Sequence, residues 1–333
     1  MIEKKYNTLI LRYISFISLI LIIFFSSCNE GKRKIEVIVF HAGSLSVPLK
    51  RLAEKYESEN PGTSILLEPA GSLVCARKIT ELKKPCDIIA SADYFVIDQL
   101  IIPDYALWSI RFATNELVIA FSERSEKASA IDSVNWTQIL LSDDVTFARA
   151  DPDSDPGGYR TVMMFMLGEK YYGIPGLAAD LSAKDLNYIR PKEVDLIAIL
   201  ESASVDYIFI YKSVALQHNL RFIELPDHIN LGDPEKNSFY NSVSVEVAGS
   251  SPDDRIRISG DYINYSLSVL SEAPDREAAE DFVSFILSSE GMEILRASGQ
   301  DPILPLITDQ PDLIPDKLKI FLNTSSPAGY DKE

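Results

Sequence analysis

The stretch IEVIVFHAGSLSVPLKRLAEKYESENPG (residues 35–62) decides how this chain is read. Its opening, Ile35 to Phe40, is almost continuously apolar, as in a strand buried on both faces. From Ser46 the period changes: Leu49, Leu52, Ala53 and Tyr56 share one face of a helix and charges take the other. Between the two lie Gly43 and Ser44, with no acidic or basic side chain beside them. Ser44 or Ser46 suits the helix cap and Pro48 suits its first turn. Taken alone, this is an ordinary strand–turn–helix. Taken as a site, it offers backbone N–H groups and a hydroxyl to an anion at a helix start.

The same unit recurs. GTSILLEPA runs into a helix starting at Ser72, CDIIASAD into YFVIDQLI, VTFARAD into GYRTVMMFMLGEKYY, and VDYIFIYKS follows the helix VDLIAILESAS. ELVIAFSE is a further apolar strand and VNWTQILLS a further helix. This alternation predicts an α/β fold with mostly parallel sheets covered by helices on both faces. Near the C-terminus INYSLSVL reads as a strand and PDREAAEDFVSFILSSEGMEILRASGQ as a helix broken at Gly291. The proline-rich DPILPL and DQPDLIPD segments are expected to trail over the surface. Ala70-Gly71-Ser72 and Asp155-Pro156-Gly157-Gly158 repeat the small polar turn of residues 41–44. Three helix starts meeting beyond the strand ends would form a compact site for a small oxyanion.

The first 27 residues have the form of an export signal: Lys4, Lys5 and Arg12, then the apolar ISFISLILIIFF, then Ser26-Ser27-Cys28. Cys28 in that position is expected to be lipidated and to begin the mature chain, with 28–34 as a tether. An uncut signal anchor is the alternative, and the polar NEGKRK that follows argues against it. The remaining length suffices for two lobes, each with its own core. A formal net charge of −17 excludes a nucleic-acid footprint. It does not exclude an anion ligand, because surface charge is screened within roughly 8 Å while a buried pocket follows its own donors. Besides Cys28 there are Cys75 and Cys86, either paired or two buried free thiols; they lack the ligand sets of a metal site.

In order, FHAGSLSVPL, EPAGSLVCARKITEL, IIASADY, FATNELVIAF, DPDSDPGGYR, VDYIFIYKSVALQHNLRFIELP and FILSSEGMEIL resemble the exported tungstate/molybdate-binding proteins that feed ABC importers. The resemblance spans nearly the whole mature chain. It implies a class II periplasmic binding protein fold, with lobe I from 35–114 and 256–333, lobe II from 115–255, and crossings at FATNELVIAF and before INYSLSVL. It implies a monomer that is not an enzyme, uses no cofactor, and works with a membrane permease and ATPase. The oxyanion would be held by Gly43, Ser44, Ser72, Asp155, Pro156, Gly157, Glu193 and Tyr211. A carboxylate beside a dianion repels it by several kcal/mol. In the family Asp155 and Glu193 would instead bond to the tungsten or molybdenum centre, which sulfur in sulfate does not permit. The stretch between DPGGYR and IRPKEVDL is short for this family, so Glu193 is placed by its distance to IYKS, with Asp195 and Glu201 as alternatives.

Each residue also has a plainer role. Ser44 and Ser72 are helix caps, Asp155 starts a turn, Glu193 favours a helix dipole, and Tyr211 packs beneath the cleft. Arg77, Lys78 and Arg160 read as solvated helix charges, and His41 as a satisfied histidine beside the site. Other readings are a binding protein for sulfate or phosphate, or an exported hydrolase with Ser44 as nucleophile and His41 as base. The last lacks the G-x-S-x-G elbow.

Overall fold

The computed structural model describes residues 34–249, 251 and 254–322. The expected signal segment, Cys28 and most of the tether lie outside the described residues.

The strands are β1 (Ile35–Ala42), β2 (Thr63–Ala70), β3 (Ile88–Ser91), β4 (Ile110–Asn115), β5 (Leu117–Phe121), β6 (Phe147–Ala150), β7 (Ile189–Arg190), β8 (Tyr207–Tyr211), β9 (Arg221–Glu224), β10 (Ser244–Ala248), β11 (Arg255–Ser259), β12 (Ile263–Val269) and β13 (Asp301–Ile307). They form two mixed sheets, ordered β13-β4-β12-β3-β1-β2 and β7-β6-β8-β5-β9, and a small β10–β11 hairpin. β1 runs parallel to β3, and β6 parallel to both β7 and β8. Each sheet also holds reversed strands: β12 is antiparallel to β3 and β4, and β5 to β8 and β9. The expectation of mostly parallel sheets therefore needs correcting at the strands that carry the chain between the sheets. β5, β8 and β12 are buried along their whole length; β5 and β8 accordingly read as continuous apolar runs, whereas β12 alternates and buries Asn264, Ser266 and Ser268 as well. In the second lobe Phe165 and Phe209 meet edge to face at 5.0 Å, with Phe147 5.4 Å from Phe209.

The passage between sheets is short. β4 ends at Asn115, β5 starts at Leu117, and only Glu116 separates them. The chain returns between β11 and β12, and Ile263 pairs with Asn115. The two passages thus lie side by side.

Three local expectations are corrected. DPILPLI is not a surface trail but the edge strand β13 beside β4, with Pro302 opposite Ala113. An edge strand tolerates proline because one side of it needs no donors. Ser288, not Gly291, breaks the C-terminal helix: its hydroxyl accepts from the Gly291 N–H and starts a new helix, Ser289–Arg296. Ser44 and Ser72 do not cap their helices: a 3-10 turn, Gly43–Leu45, precedes helix Ser46–Glu59, and Gly71 is the cap of helix Ser72–Thr80.

Cys75 and Cys86 are both buried and free. Cys75 Sγ donates to the His41 carbonyl and Cys86 Sγ to that of Ile88, at 3.5 and 3.1 Å. Burial raises both thiol pKa values, that of Cys75 to about 12. Neither is expected to react with a disulfide reagent at pH 8 in the folded protein, and both should react in urea. Thiol titration with and without urea checks this.

Candidate functional site

The small polar turns predicted from the sequence lie where the two lobes touch. Asp155 caps helix Pro156–Tyr172: its Oδ1 accepts from the Gly157 N–H at 2.8 Å, with Pro156 in the first turn as the DPGG pattern suggests. Its other oxygen accepts from the Glu193 N–H at 3.4 Å. Glu193 Oε1 in turn accepts from the N–H of Tyr211, at the end of β8. Asp155 and Glu193 are 3% and 1% exposed, and Glu193 Oε2 is buried with no partner among the described residues. Burial pushes the Asp155 carboxyl up to about 6. Burial first, then the neighbouring Asp155, raises Glu193 well above the usual range. The alternatives to Glu193 lie elsewhere: Asp195 pairs with Lys192 at 3.3 Å, and Glu201 is exposed.

Three hydroxyls complete the arrangement, each buried and each accepting a hydrogen bond from within the protein. Ser72 Oγ accepts from the Ala92 N–H at 3.1 Å. Tyr211 Oη accepts from Arg160 Nη1 at 3.0 Å. Ser44 Oγ accepts from Tyr265 Oη at 2.9 Å, and Tyr265 itself accepts from Asn115 Nδ2 at 3.1 Å. With a lone pair engaged, each of these hydroxyls keeps its own proton to donate.

The contacts link residues from both lobes into a ring. Gly43 lies against Val194, beside Glu193; Glu193 meets Asp155; and Gly71 lies against Ser154 and Asp155. Ser72 holds Ala92, whose carbonyl accepts from Arg160 at 2.6 Å. Arg160 holds Tyr211, and the Tyr211 ring meets Tyr265 edge-on at 6.0 Å. The ring thus gathers the eight expected positions, Gly43, Ser44, Ser72, Asp155, Pro156, Gly157, Glu193 and Tyr211, around one junction.

Arg160 corrects the solvated reading. It is 2% exposed and paired with Asp93, also buried, at 3.0 Å. Burial works against its charge, but Asp93 together with Tyr211 and Tyr159 outweighs it, and the pKa is raised. Arg77 is half-buried and donates to the Asp153 carbonyl at 2.8 Å, while Lys78 pairs with Glu68 at 3.2 Å. His41 is buried, with Nδ1 on the Ala42 carbonyl and its pKa lowered by burial to about 4. Among the described residues nothing joins His41 to the Ser44 hydroxyl, so the pair lacks the base–nucleophile contact of a hydrolase. Sequence reasoning missed Tyr265 and Asn115. Both lie in stretches that read simply as strand or connection.

A family model described as bacterial extracellular solute-binding protein matches residues 37–300. An uncharacterized solute-binding protein of Petrotoga mobilis is 43% identical over 86% of this chain and 90% of its own length. The molybdate/tungstate-binding protein WtpA of Pyrococcus abyssi is 41% identical over 83% of this chain and 87% of its own. Among solved structures, the periplasmic molybdate-binding protein of Azotobacter vinelandii matches with a TM-score of 0.58. It is 17% identical over 81% of this chain and 99% of that one, a likeness of fold. Among the described residues no helix is long and apolar enough to cross a membrane. The chain belongs to the bacterial extracellular solute-binding proteins, a family that binds rather than catalyses.

Proposed function

We propose that this protein captures tungstate or molybdate outside the cytoplasm and delivers it to the permease and ATPase of an ABC importer. The observation that carries this reading is the pairing of two buried, adjacent carboxylates with three hydroxyls whose lone pairs are already engaged. The hydroxyls and the N–H groups around Gly43 would donate to the oxygens of the anion. Asp155 and Glu193 would bond to the metal itself, turning a repulsion into a bond. Sulfate would meet the same two acids with nothing to offset them. The relative in Pyrococcus abyssi, whose name gives the same two anions, supports this choice of ligand.

The lobes we propose follow the sheets, 35–114 with the C-terminal part, and 115 onward to the β10–β11 hairpin. The hairpin pairs Ala248 with Arg255 and Ser244 with Ser259, so it bridges the boundary expected at 255/256. We place the second crossing after Ser259. Closure about the paired crossings at Asn115 and Ile263 would enclose the ligand, and reopening would release it. A lipid on Cys28 would keep the protein at the membrane, and the chain would act as a monomer.

Titration calorimetry with sodium tungstate, molybdate and sulfate tests the reading. Tungstate and molybdate are expected to bind at least about 100-fold more tightly than sulfate, a gap of about 3 kcal/mol. Similar affinity for all three would remove the role given to the carboxylates.

A further inference from the structure

We propose, resting on the ligand reading above, that Arg160 is a positioning residue which aims the Tyr211 proton at the anion and ties that aim to contact between the lobes. A guanidinium has donors and no acceptor, so the bond from Arg160 Nη1 to Tyr211 Oη, at 3.0 Å, runs one way only. It occupies a phenol lone pair and leaves the phenol proton to be donated elsewhere. Tyr211 is fully buried, so bulk water does not compete for that proton. Without Arg160 the hydroxyl would be free to turn and accept, presenting a lone pair to an anion.

The other contacts of Arg160 come from the opposite lobe. Nη1 also donates to the Ala92 carbonyl at 2.6 Å, and Nη2 meets Asp93 Oδ2 at 3.0 Å. Asp93 accepts from Tyr159 Oη at 2.6 Å and caps helix Tyr94–Leu100 through the Phe95 N–H. Arg160 and Tyr159 belong to helix Pro156–Tyr172, whereas Ala92 and Asp93 follow β3. Parting the lobes would break this clasp, and with it the hold that keeps the guanidinium against Tyr211. Arg160 itself carries little charge to the anion, because Asp93 already faces it. Its influence therefore runs through Tyr211.

The test is a cycle of variants titrated calorimetrically with sodium tungstate. Tyr211→Phe removes one oxygen and should weaken binding by roughly 10- to 100-fold, as for a hydrogen bond to a charged group. Asp93→Asn combined with Arg160→Met removes both buried charges together, so neither is left alone. It should weaken binding to a similar degree. Adding Tyr211→Phe to that pair should cost less than about 3-fold more, since the hydroxyl has already lost its aim. Losses that multiply would overturn the inference, whether Arg160 touched the anion itself or merely packed. Arg160→Lys guards against a paired variant that does not fold: its ammonium can keep Asp93 but lacks the fork that also reaches Tyr211. It should match the Tyr211→Phe loss and not add to it, and wild-type affinity in Arg160→Lys would count against us. Small-angle scattering of the ligand-free protein reads the clasp independently. The paired variant should be more open than the wild type, and an unchanged radius of gyration would refute the coupling to the lobes. A wild type that binds no tungstate would instead defeat the functional reading, while the scattering comparison still decides the clasp.

Discussion

Asp155→Asn and Glu193→Gln are each expected to make the ligand-free protein more stable at pH 7 while abolishing its capture of tungstate. Both acids are buried, and burial raises both pKa values. For Asp155 the rise is from 3.8 to about 6. Below about pH 4 the group is neutral in the folded and the unfolded chain, so its burial carries no electrostatic penalty. Between about pH 4 and 6 the unfolded chain releases the proton first, and the folded protein becomes less stable by about 3 kcal/mol at the upper end. Asparagine keeps the cap to the Gly157 N–H and avoids the charge, losing only the longer bond from the Glu193 N–H at 3.4 Å. Urea melts at pH 4 and pH 7 should therefore show a loss in the wild type that is smaller in Asp155→Asn. Glu193→Gln should act in the same direction. Titration calorimetry should show tungstate binding weakened more than about 100-fold in either variant, as expected for a lost metal bond. A variant that binds like the wild type, or is less stable than it at pH 7, would contradict the role given to these acids.

Gly71→Ala is expected to leave the fold intact and to prevent tight binding. Gly71 has φ −60° and ψ 144°, extended backbone open to any residue, so alanine meets no local strain. The obstacle lies across the junction, where an added Cβ would stand 2.1 Å from the Ser154 carbonyl oxygen and 3.2 Å from Asp155 Cα. These are backbone atoms at a helix start, not the end of a flexible side chain. One methyl group should thus act as a doorstop that favours the open form. Overpacking of this kind costs roughly 1–3 kcal/mol or more, which is about 10- to 100-fold in affinity. The melting temperature without ligand should change little, while the stabilisation by added tungstate should largely vanish. Scattering should show the variant failing to compact when tungstate is added. Wild-type affinity in Gly71→Ala would mean that the lobes do not need this contact.

The parts of the fold legible in the sequence are those whose signal is local. β1 with the helix after it, β8 and β12 announce themselves by their periodicity. β13 was hidden because edge pairing with β4 depends on a neighbour far along the chain, while the prolines argue locally against a strand. ELVIAFSE was legible as a strand and FATNELVIAF as a crossing through the family resemblance, but β4 itself was hidden, because its partners β12 and β13 lie far along the chain. At the junction, Asp155 was legible because its cap lies two residues away. Ser44 was misread as a cap because its real donor, Tyr265, is 221 residues distant. Arg160 looked solvated because Asp93, the charge that permits its burial, sits on another helix start. Glu193 could be picked over Asp195 and Glu201 only through the family resemblance. The structure separates them by burial.

The side-by-side passage of the chain at Asn115 and Ile263 gives the molecule a spine, like that of a book. Covers joined along one spine have a single way to turn. The clasp at Arg160 and the close approach at Gly71 must then form and break together, as one event seen from two places.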